Sequence, residues 1–290
     1  MITHPGVKLN LGLRVLGKRP DGYHDLDTLF YPCDAFSDTL EIITGDDYSR
    51  TSASLFARYD PSEIVQGLEE DGSVMITIAR KGGVDWDPLK DLTVKAVRLL
   101  AEHHKLPALK IYLEKTSPVG AGLGGGSADG AFALKMVNEI CALGLAEEDL
   151  ASLAAHLGSD CPFFIYDRPM LGSGRGEILT PFDLDLSAYE VRVVVPEGIA
   201  VSTAEAYRGV QARQPEGELS VAEVLSRPVA EWKDRLVNDF EASVFPLHPA
   251  LAEIKEALYA DGALYAAMSG SGSALFGIFS DAQDNSGINR

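Results

Sequence analysis

Cysteine is scarce in this sequence, and the few cysteines it has are far apart. Cys33, Cys141 and Cys161 are odd in number and form no CxxC pair. A disulfide framework or a structural zinc site needs closely spaced cysteines, usually in even number. The sequence therefore argues against both, and three scattered thiols are typical of a protein from a reducing cytoplasm.

Positive charge is also in short supply. The chain has 25 Lys and Arg residues against 43 Asp and Glu residues, a net charge of −18. A partner such as DNA or RNA requires a basic surface, so this balance argues against a nucleic-acid polymer as partner. It does not exclude a single nucleotide, because lysine, magnesium and backbone amides can meet that charge locally.

Long apolar runs are missing as well. No run approaches the roughly 18 apolar residues of a membrane span, and Met1–Gly6 has neither the basic nor the apolar region of a secretory signal. We therefore expect a cytoplasmic protein without a membrane partner. A chain of 290 residues with 46% hydrophobic residues can bury a large core and predicts two domains.

Glycine, in contrast, is concentrated in one place: five of the seven residues 120–126 are glycine. Before them, Leu109–Leu113 alternates as a half-buried strand does, and after them the apolar spacing is that of a helix. The glycines therefore lie where a helix begins, and unpaired N–H groups at a helix start favour anions. Because a simple turn needs only one or two glycines, the pattern favours a phosphate-binding loop.

Two common phosphate motifs fit poorly. Gly12–Lys18 matches most of a P-loop, but Arg19 stands where that motif needs Ser or Thr to reach magnesium. Gly120–Gly125 matches the dinucleotide fingerprint G-x-G-x-x-G, which should lead to a strand ending in an acid about 20 residues on. Glu147–Leu157 instead has a helical pattern. A nicotinamide-dependent oxidoreductase stays open as an alternative.

Three motifs in order along the chain resemble those of the GHMP kinases, and they are Lys8–Leu11, Pro118–Asp129 and Met268–Ser273. The resemblance implies ATP-dependent phosphorylation of an alcohol. It also implies a two-domain α+β fold with the active site in the cleft between the domains. Residues 1–168 would form an N-terminal ribosomal-protein-S5-like domain, and residues 169–290 a C-terminal ferredoxin-like α/β sandwich.

In that family the glycine loop cradles the ATP phosphates, and the serine that ends it reaches the nucleotide-bound magnesium. Ser127 is that serine, although serine is also common at a helix N-cap, and Asp129 is another candidate in the first turn. Asp91 is also typical of an N-cap, at the start of a predicted helix through Leu100. The resemblance implies these nucleotide-binding residues: Asp91, Lys115, Pro118, Gly120, Gly122, Leu123, Gly124, Gly125, Gly126, Ser127 and Ala128.

The implied catalytic residues are Lys8 and Asp160. Val7–Val15 alternates as a strand that places Lys8 and Asn10 on one face, which faces either solvent or a ligand. Asp160 precedes an apolar run, where its carboxylate is either an N-cap or in need of a cation. The resemblance implies that Lys8 lies by the acceptor hydroxyl and is paired with Asp160, which orients that hydroxyl and accepts its proton.

Four segments resemble one subgroup of these kinases more narrowly, namely Lys8–His24, Leu157–Phe164, Gly174–Glu177 and Val201–Tyr207. The acceptor implied by that subgroup is diphosphocytidyl-methylerythritol. Tyr23 would then pack on its base or ribose, His24 would read the base edge, and Tyr207 would stack on cytosine. The acceptor-binding residues implied are Asn10, Tyr23, His24, Thr203, Tyr207, Gly270 and Ser271.

Other interpretations stay open. The acceptor could be a smaller alcohol, as in homoserine or mevalonate kinase, or the chain could bind nucleotide without turnover. Residues 45–72 are polar and predict an irregular connection. Family members continue past the predicted strand Ala274–Phe279 with a helix and a strand, whereas residues 281–290 are short and polar. We therefore expect a C-terminal domain without its last elements.

Overall fold

The structure, a computed structural model, describes residues 1–210 and 219–280. The expectation for the C-terminal segment 281–290 lies outside the described residues. The strands within the described ranges are β1 (Ile2–Thr3), β2 (Gly6–Lys18), β3 (His24–Ser37), β4 (Thr39–Thr44), β5 (Ile64–Leu68), β6 (Val74–Arg80), β7 (Leu109–Lys115), β8 (Met170–Ser173), β9 (Ile178–Pro181), β10 (Tyr189–Val194), β11 (Tyr265–Met268) and β12 (Leu275–Ser280).

Groups of helices lie between groups of these strands along the chain. Within the described residues the α-helices are α1 (Ser52–Arg58), α2 (Leu92–Ala101), α3 (Gly125–Ile140), α4 (Glu147–Leu157), α5 (Cys161–Tyr166), α6 (Thr203–Gly209), α7 (Val221–Leu225), α8 (Glu241–Val244) and α9 (Pro249–Ala260). Short 3-10 helices lie at Pro61–Glu63, Pro88–Lys90 and Val229–Glu231. No helix among the described residues has both the length and the apolar character to cross a bilayer.

The chain forms two compact units that are discontinuous in sequence. Unit 1 consists of residues 1–7, 36–119 and 124–167, and unit 2 of residues 8–35, 120–123 and the described residues from 168 to 280. Unit 2 thus takes two segments from the part of the chain assigned above to the N-terminal domain. The boundary between residues 168 and 169 stays a prediction.

Unit 1 is built on a five-stranded sheet in the order β1-β4-β7-β6-β5. β6 and β7 are parallel, and the other neighbours are antiparallel. The predicted strand at Leu109–Leu113 is confirmed as β7, whose Leu109, Ile111 and Leu113 are buried. The helix expected after the glycines is confirmed as α3, which packs against α2 and α5. The glycine loop is thus fixed between a buried strand and a packed helix.

The prediction of an irregular connection over residues 45–72 is wrong, because this segment contains α1 and β5. α1 carries Leu55 into an apolar cluster with Tyr59, Ile43 and Tyr112. β5 pairs with β6 along its whole length. A helix of 7 residues and a strand of 5 residues are too short to show a clear sequence period, and their burial comes from distant partners.

Unit 2 contains two sheets, in which β8 and β12 each run antiparallel to both of their neighbours. One has the order β2-β3-β8-β9, and the other the order β10-β12-β11. Its hydrophobic core combines side chains from β2, α8, α9 and the last two strands, among them Leu13, Val15, Val244, Leu251 and Leu275. The strand predicted over Val7–Val15 is confirmed as part of β2.

Candidate active site

The strand β2 carries Lys8 into a buried position, where its side chain meets backbone and amide oxygens. The residue is 3% exposed. Its ammonium donates to Gly122 O at 2.9 Å and to Asn10 Oδ1, and lies 5.5 Å from the centre of the Phe30 ring. A buried ammonium without such partners would be strongly unfavourable. Asn10 is buried as well, so the strand face that carries Lys8 and Asn10 does not face solvent.

The C-terminal Gly/Ser motif, Met268–Ser273, contacts the same residue of the glycine loop as Lys8 does, namely Gly122. Ser269 Oγ donates to Gly122 O at 3.2 Å and accepts from Asn10 N at 3.3 Å. Gly122 has φ +78°, and a Cβ there would overlap Ser269 O, so this position requires glycine. Asn238 Nδ2 donates to Gly270 O at 2.8 Å and holds the motif from behind. Three motifs predicted to act together thus converge in unit 2.

The glycine loop passes from unit 2 into unit 1 between residues 123 and 124. Gly124, with φ +75°, occupies the N-cap of α3, so Ser127 lies in the first turn and is not the cap. Gly126 is exposed, and a Cβ at this position would meet only open space. The first N–H groups of a helix have no acceptor within it. The loop therefore ends in amides suited to an anion.

Beneath the start of α3 lies a buried triad made of Asp38, Lys115 and Asp129. The Lys115 ammonium binds Asp38 Oδ2 and, at 2.6 Å, Asp129 Oδ2, and the three side chains are at most 4% exposed. Asp38 also accepts from Thr116 N and Ser117 N, both at 2.7 Å, and from Ser117 Oγ at 2.6 Å. The triad thus ties the end of β7 to the first turns of α3.

The two carboxyl groups of this triad differ in how many hydrogen-bond donors surround them. Burial opposes the charge of Lys115, but the carboxylates of Asp129 and Asp38 hold its pKa above the usual value. Full burial raises the pKa of Asp129 well above its usual range. Asp129 Oδ1 has no hydrogen-bond partner among the described residues, whereas Asp38 is met by several donors. We infer that Asp129 is the carboxyl group of this triad that takes up a proton.

Asp91 is confirmed as the N-cap of α2. Its Oδ1 accepts from Thr93 N at 2.9 Å and from Thr93 Oγ1 at 2.7 Å, and its Oδ2 accepts from Trp86 Nε1 at 3.1 Å. Both carboxylate oxygens are therefore used within unit 1. The ammonium of Lys115 is likewise engaged in the triad. Nucleotide contacts of these two residues stay predictions.

Asp160 occupies the N-cap position of α5, yet its side chain makes no capping hydrogen bond. It is half-buried and accepts a long hydrogen bond, 3.4 Å, from Ser159 Oγ. The following Cys161 is fully buried, and this burial raises the pKa of its thiol to about 12. A hydrogen bond with the Ser127 side chain acts in the opposite direction and lowers that pKa. Asp160 belongs to unit 1 and Lys8 to unit 2, and their pairing stays a prediction.

The residues predicted to bind the acceptor all belong to unit 2. The His24 ring stacks on Tyr207, with centroids 4.8 Å apart and planes 23° apart, and Tyr207 meets the Phe240 ring edge-on. Thr203 Oγ1 lies 3.4 Å from Ser271 Oγ. Tyr23 is 56% exposed. The structure thus brings two pairs of these residues together from distant parts of the chain.

Two residues that build this site were missed at the level of sequence. Asp38 and Asn238 are buried polar residues whose partners lie far away in the chain. Neither belongs to a recognisable motif, and a single Asp or Asn beside a strand is usually a turn or cap residue. A sequence signal for them was therefore absent.

Comparison with known proteins agrees with these motifs. Residues 91–168 match the model of the GHMP kinases N terminal domain, and residues 221–289 match GHMP kinases C terminal. A 4-diphosphocytidyl-2-C-methyl-D-erythritol kinase from Parabacteroides distasonis is 44% identical over 96% of this chain and 92% of its own length. The protein of that name from Bacteroides fragilis is 46% identical over 97% of this chain and 92% of its own length.

Solved structures give the same result. A crystal structure of 4-(cytidine 5'-diphospho)-2C-methyl-D-erythritol kinase has a TM-score of 0.72 and 32% identity, covering 96% of this chain and 90% of its own. The mevalonate kinase of Methanococcus jannaschii, at 12% identity and a TM-score of 0.60, shares the fold and covers 98% and 92% of the two chains.

The chain therefore belongs to the GHMP kinase family and is an ATP-dependent small-molecule kinase with the predicted α+β fold. This membership removes the nicotinamide-dependent oxidoreductase as an alternative. Within the family, its relatives at 44–46% identity are the 4-diphosphocytidyl-2-C-methyl-D-erythritol kinases, the subgroup that the narrower resemblance indicated.

Proposed function

We propose that this kinase transfers the γ-phosphoryl group of ATP to the 2-hydroxyl of 4-diphosphocytidyl-2-C-methyl-D-erythritol, in the non-mevalonate pathway of isoprenoid synthesis. The names of the relatives support this acceptor. The observation that carries the proposal is the position of Lys8, whose buried ammonium is bonded to Gly122 of the glycine loop. A cytoplasmic location agrees with three cysteines that form no disulfide.

In the proposed reaction Lys8 lies beside the acceptor hydroxyl and the transferring group. Phosphoryl transfer depends on positioning and on stabilising charge, so one fixed ammonium is a suitable contribution. Asn10 and Gly122 fix that ammonium within unit 2. Asp160, at the N-cap position of α5, orients the hydroxyl and accepts its proton.

The nucleotide is held by backbone amides of the glycine loop. Gly124, Gly125, Gly126 and Ser127 supply the N-cap and first turn of α3, a helix of 16 residues whose dipole favours phosphate. The further nucleotide-binding residues predicted on either side are Pro118, Gly120, Leu123 and Ala128.

Magnesium fits this arrangement through the side chain of Ser127. No cluster of three or more His, Cys, Asp or Glu residues that could hold a metal occurs in the described parts of the chain. Magnesium usually takes one or two protein ligands and completes its shell with phosphates and water, so a large cluster is not needed. A magnesium ion bound there would neutralise phosphate charge. Ser127 would hold it from the first turn of α3, where this residue is half-buried.

The acceptor is recognised through its cytidine group. His24 and Tyr207 present neighbouring rings in unit 2, and aromatic stacking on a nucleic-acid base contributes about 1–3 kcal/mol. A base edge also needs hydrogen bonds, so groups such as His24 discriminate between bases. Thr203, on the same helix as Tyr207, and Ser271 add a pair of neighbouring hydroxyls.

The test is ADP release with this acceptor, with and without magnesium, against homoserine and mevalonate at the same concentration. We expect turnover of the cytidine-bearing acceptor alone. Asp160→Asn should lower kcat by about 10²–10⁴-fold, as loss of a general base does, while ATP binding stays within about twofold. Asp46→Asn, an exposed carboxylate of unit 1, is the control and should leave kcat unchanged. Nearly full kcat in Asp160→Asn would contradict the assignment, and nucleotide binding without turnover of any acceptor would contradict the proposed activity.

A further inference from the structure

The turn between β8 and β9 carries an arginine whose role the proposed reaction leaves unassigned. Arg175 lies in the segment Gly174–Glu177, and its guanidinium carbon is 4.8 Å from the centre of the Tyr23 ring. Both residues belong to unit 2. This distance is within the range of a cation–π interaction, for which arginine is the commoner partner. Arg175 therefore contacts a side chain that is proposed to bind the acceptor.

Arg175 is held in place from its own turn. Its backbone N–H donates to Glu177 Oε2 at 2.5 Å, and its Nε donates to Glu177 Oε1 at 3.3 Å. The turn is fixed to β3, because Leu26 N donates to Gly174 O at 2.7 Å. Gly174 and Gly176 have φ values of +65° and +107°, which glycine adopts without strain. The guanidinium is thus presented by a loop of defined conformation.

The Tyr23 ring is less constrained than the backbone of the same residue. The backbone is fixed by two hydrogen bonds, from Tyr23 N to Asp21 Oδ1 at 3.1 Å and from Arg19 N to Tyr23 O at 2.7 Å. The residue as a whole is 56% exposed, and the Arg175 guanidinium lies over its ring. An exposed tyrosine without such a partner would sample several rotamers and would have to be ordered when a ligand binds.

We propose that Arg175 is a positioning residue that sets the Tyr23 ring in the orientation in which it packs against the base of the acceptor. This inference rests on the proposed function. The guanidinium covers the ring from one side, so the ring is ordered before the ligand arrives, and the gain appears in acceptor affinity. Direct binding of the diphosphate by Arg175 is the competing role, but the carboxylate of Glu177 already pairs with this guanidinium at 3.3 Å.

The experiment measures calorimetric binding of cytidine and CDP to the full chain, together with steady-state kinetics. Arg175→Ala should weaken cytidine and CDP equally, by about two- to fivefold, the range of a partly exposed cation–π contact. The KM of the acceptor should rise by the same factor while kcat and the KM of ATP stay constant. Arg175→Lys should recover part of the affinity, because an ammonium also interacts with the ring.

A double-mutant cycle with Tyr23→Ala isolates the interaction. In that background Arg175→Ala should have no further effect on cytidine binding. Arg192→Ala is a matched control, since Arg192 also pairs with a glutamate two residues away, at 2.7 Å, and lies 4.1 Å from the centre of the Phe279 ring. It should leave ligand affinity unchanged.

The inference is overturned if Arg175→Ala leaves both affinities unchanged. It is also overturned if only CDP is weakened, because Arg175 would then act on the diphosphate. Persistence of the full effect without Tyr23 overturns it as well, because Arg175 would then act independently of that ring. A wild-type chain that binds neither cytidine nor CDP would overturn the proposed function as well, so the two failures are distinguishable.

Discussion

The buried triad in unit 1 permits a quantitative test of what supports the glycine loop. Replacing Lys115 by methionine keeps most of the side-chain volume and removes the ammonium that lies between Asp38 and Asp129. The side chains of Lys115, Asp38 and Asp129 are 4%, 0% and 1% exposed, so water cannot take the place of the lost cation.

The expected loss of unfolding free energy depends on the different surroundings of the two carboxyl groups. Removing one partner from a buried ion pair typically destabilises a protein by about 3–5 kcal/mol, since the remaining charge is left uncompensated. Asp129, whose pKa is raised by burial, can take up a proton and avoid that cost. The charge of Asp38 is met by Thr116 N and by the N–H and hydroxyl of Ser117. We therefore expect about 3 kcal/mol, the lower end of that range.

Urea unfolding followed by circular dichroism measures this change. The midpoint for Lys115→Met should fall with little change in the slope m, and the melting temperature should fall by roughly 6–12 °C. Lys95→Met, on the exposed face of α2, is the matched control and should stay within about 0.5 kcal/mol of wild type. If Lys115→Met lost less than about 1 kcal/mol, the triad would not be a buried ionic support, and the reasoning from burial would be refuted.

Two further predictions concern stability. Gly122→Ala should lower the free energy of unfolding by more than the roughly 1–2 kcal/mol that a left-handed backbone costs an alanine, because its Cβ would also overlap Ser269 O. Gly120→Ala, at φ +72° with open space around the Cβ, should cost the backbone strain alone. Equal urea midpoints for the two variants would refute the overlap. Asp129→Asn should gain stability relative to wild type as pH rises from about 5 to about 8. The pKa of Asp129 is raised in the native state, so as pH rises the unfolded state releases this proton before the native state does. The wild type therefore loses stability as pH rises above the usual aspartate pKa, whereas the variant, which has no carboxyl group there, does not. A difference in unfolding free energy that stays constant over this range would contradict the raised pKa.

Local signals in the sequence were enough for the elements around the glycine loop. β7 alternates, α3 has a helical apolar face, and α2 begins after Asp91, which caps the helix through Thr93 two residues on. Each of these features acts within a few residues, so the sequence contains both partners side by side. The GHMP kinase motifs were likewise recognisable because each is a continuous run.

Pairings across the chain were decided by tertiary structure alone. The sequence could not show that Lys115 meets Asp38, 77 residues away, or that the Ser269 hydroxyl reaches Gly122, 147 residues away. It also contained no sign of α1 and β5, which are short and are stabilised by distant apolar side chains. Strand order and burial bring such groups together, and neither is a property of a local segment. The composition and motifs of this chain thus determine which chemistry it carries, whereas the topology determines which buried charges and rings hold that chemistry in place.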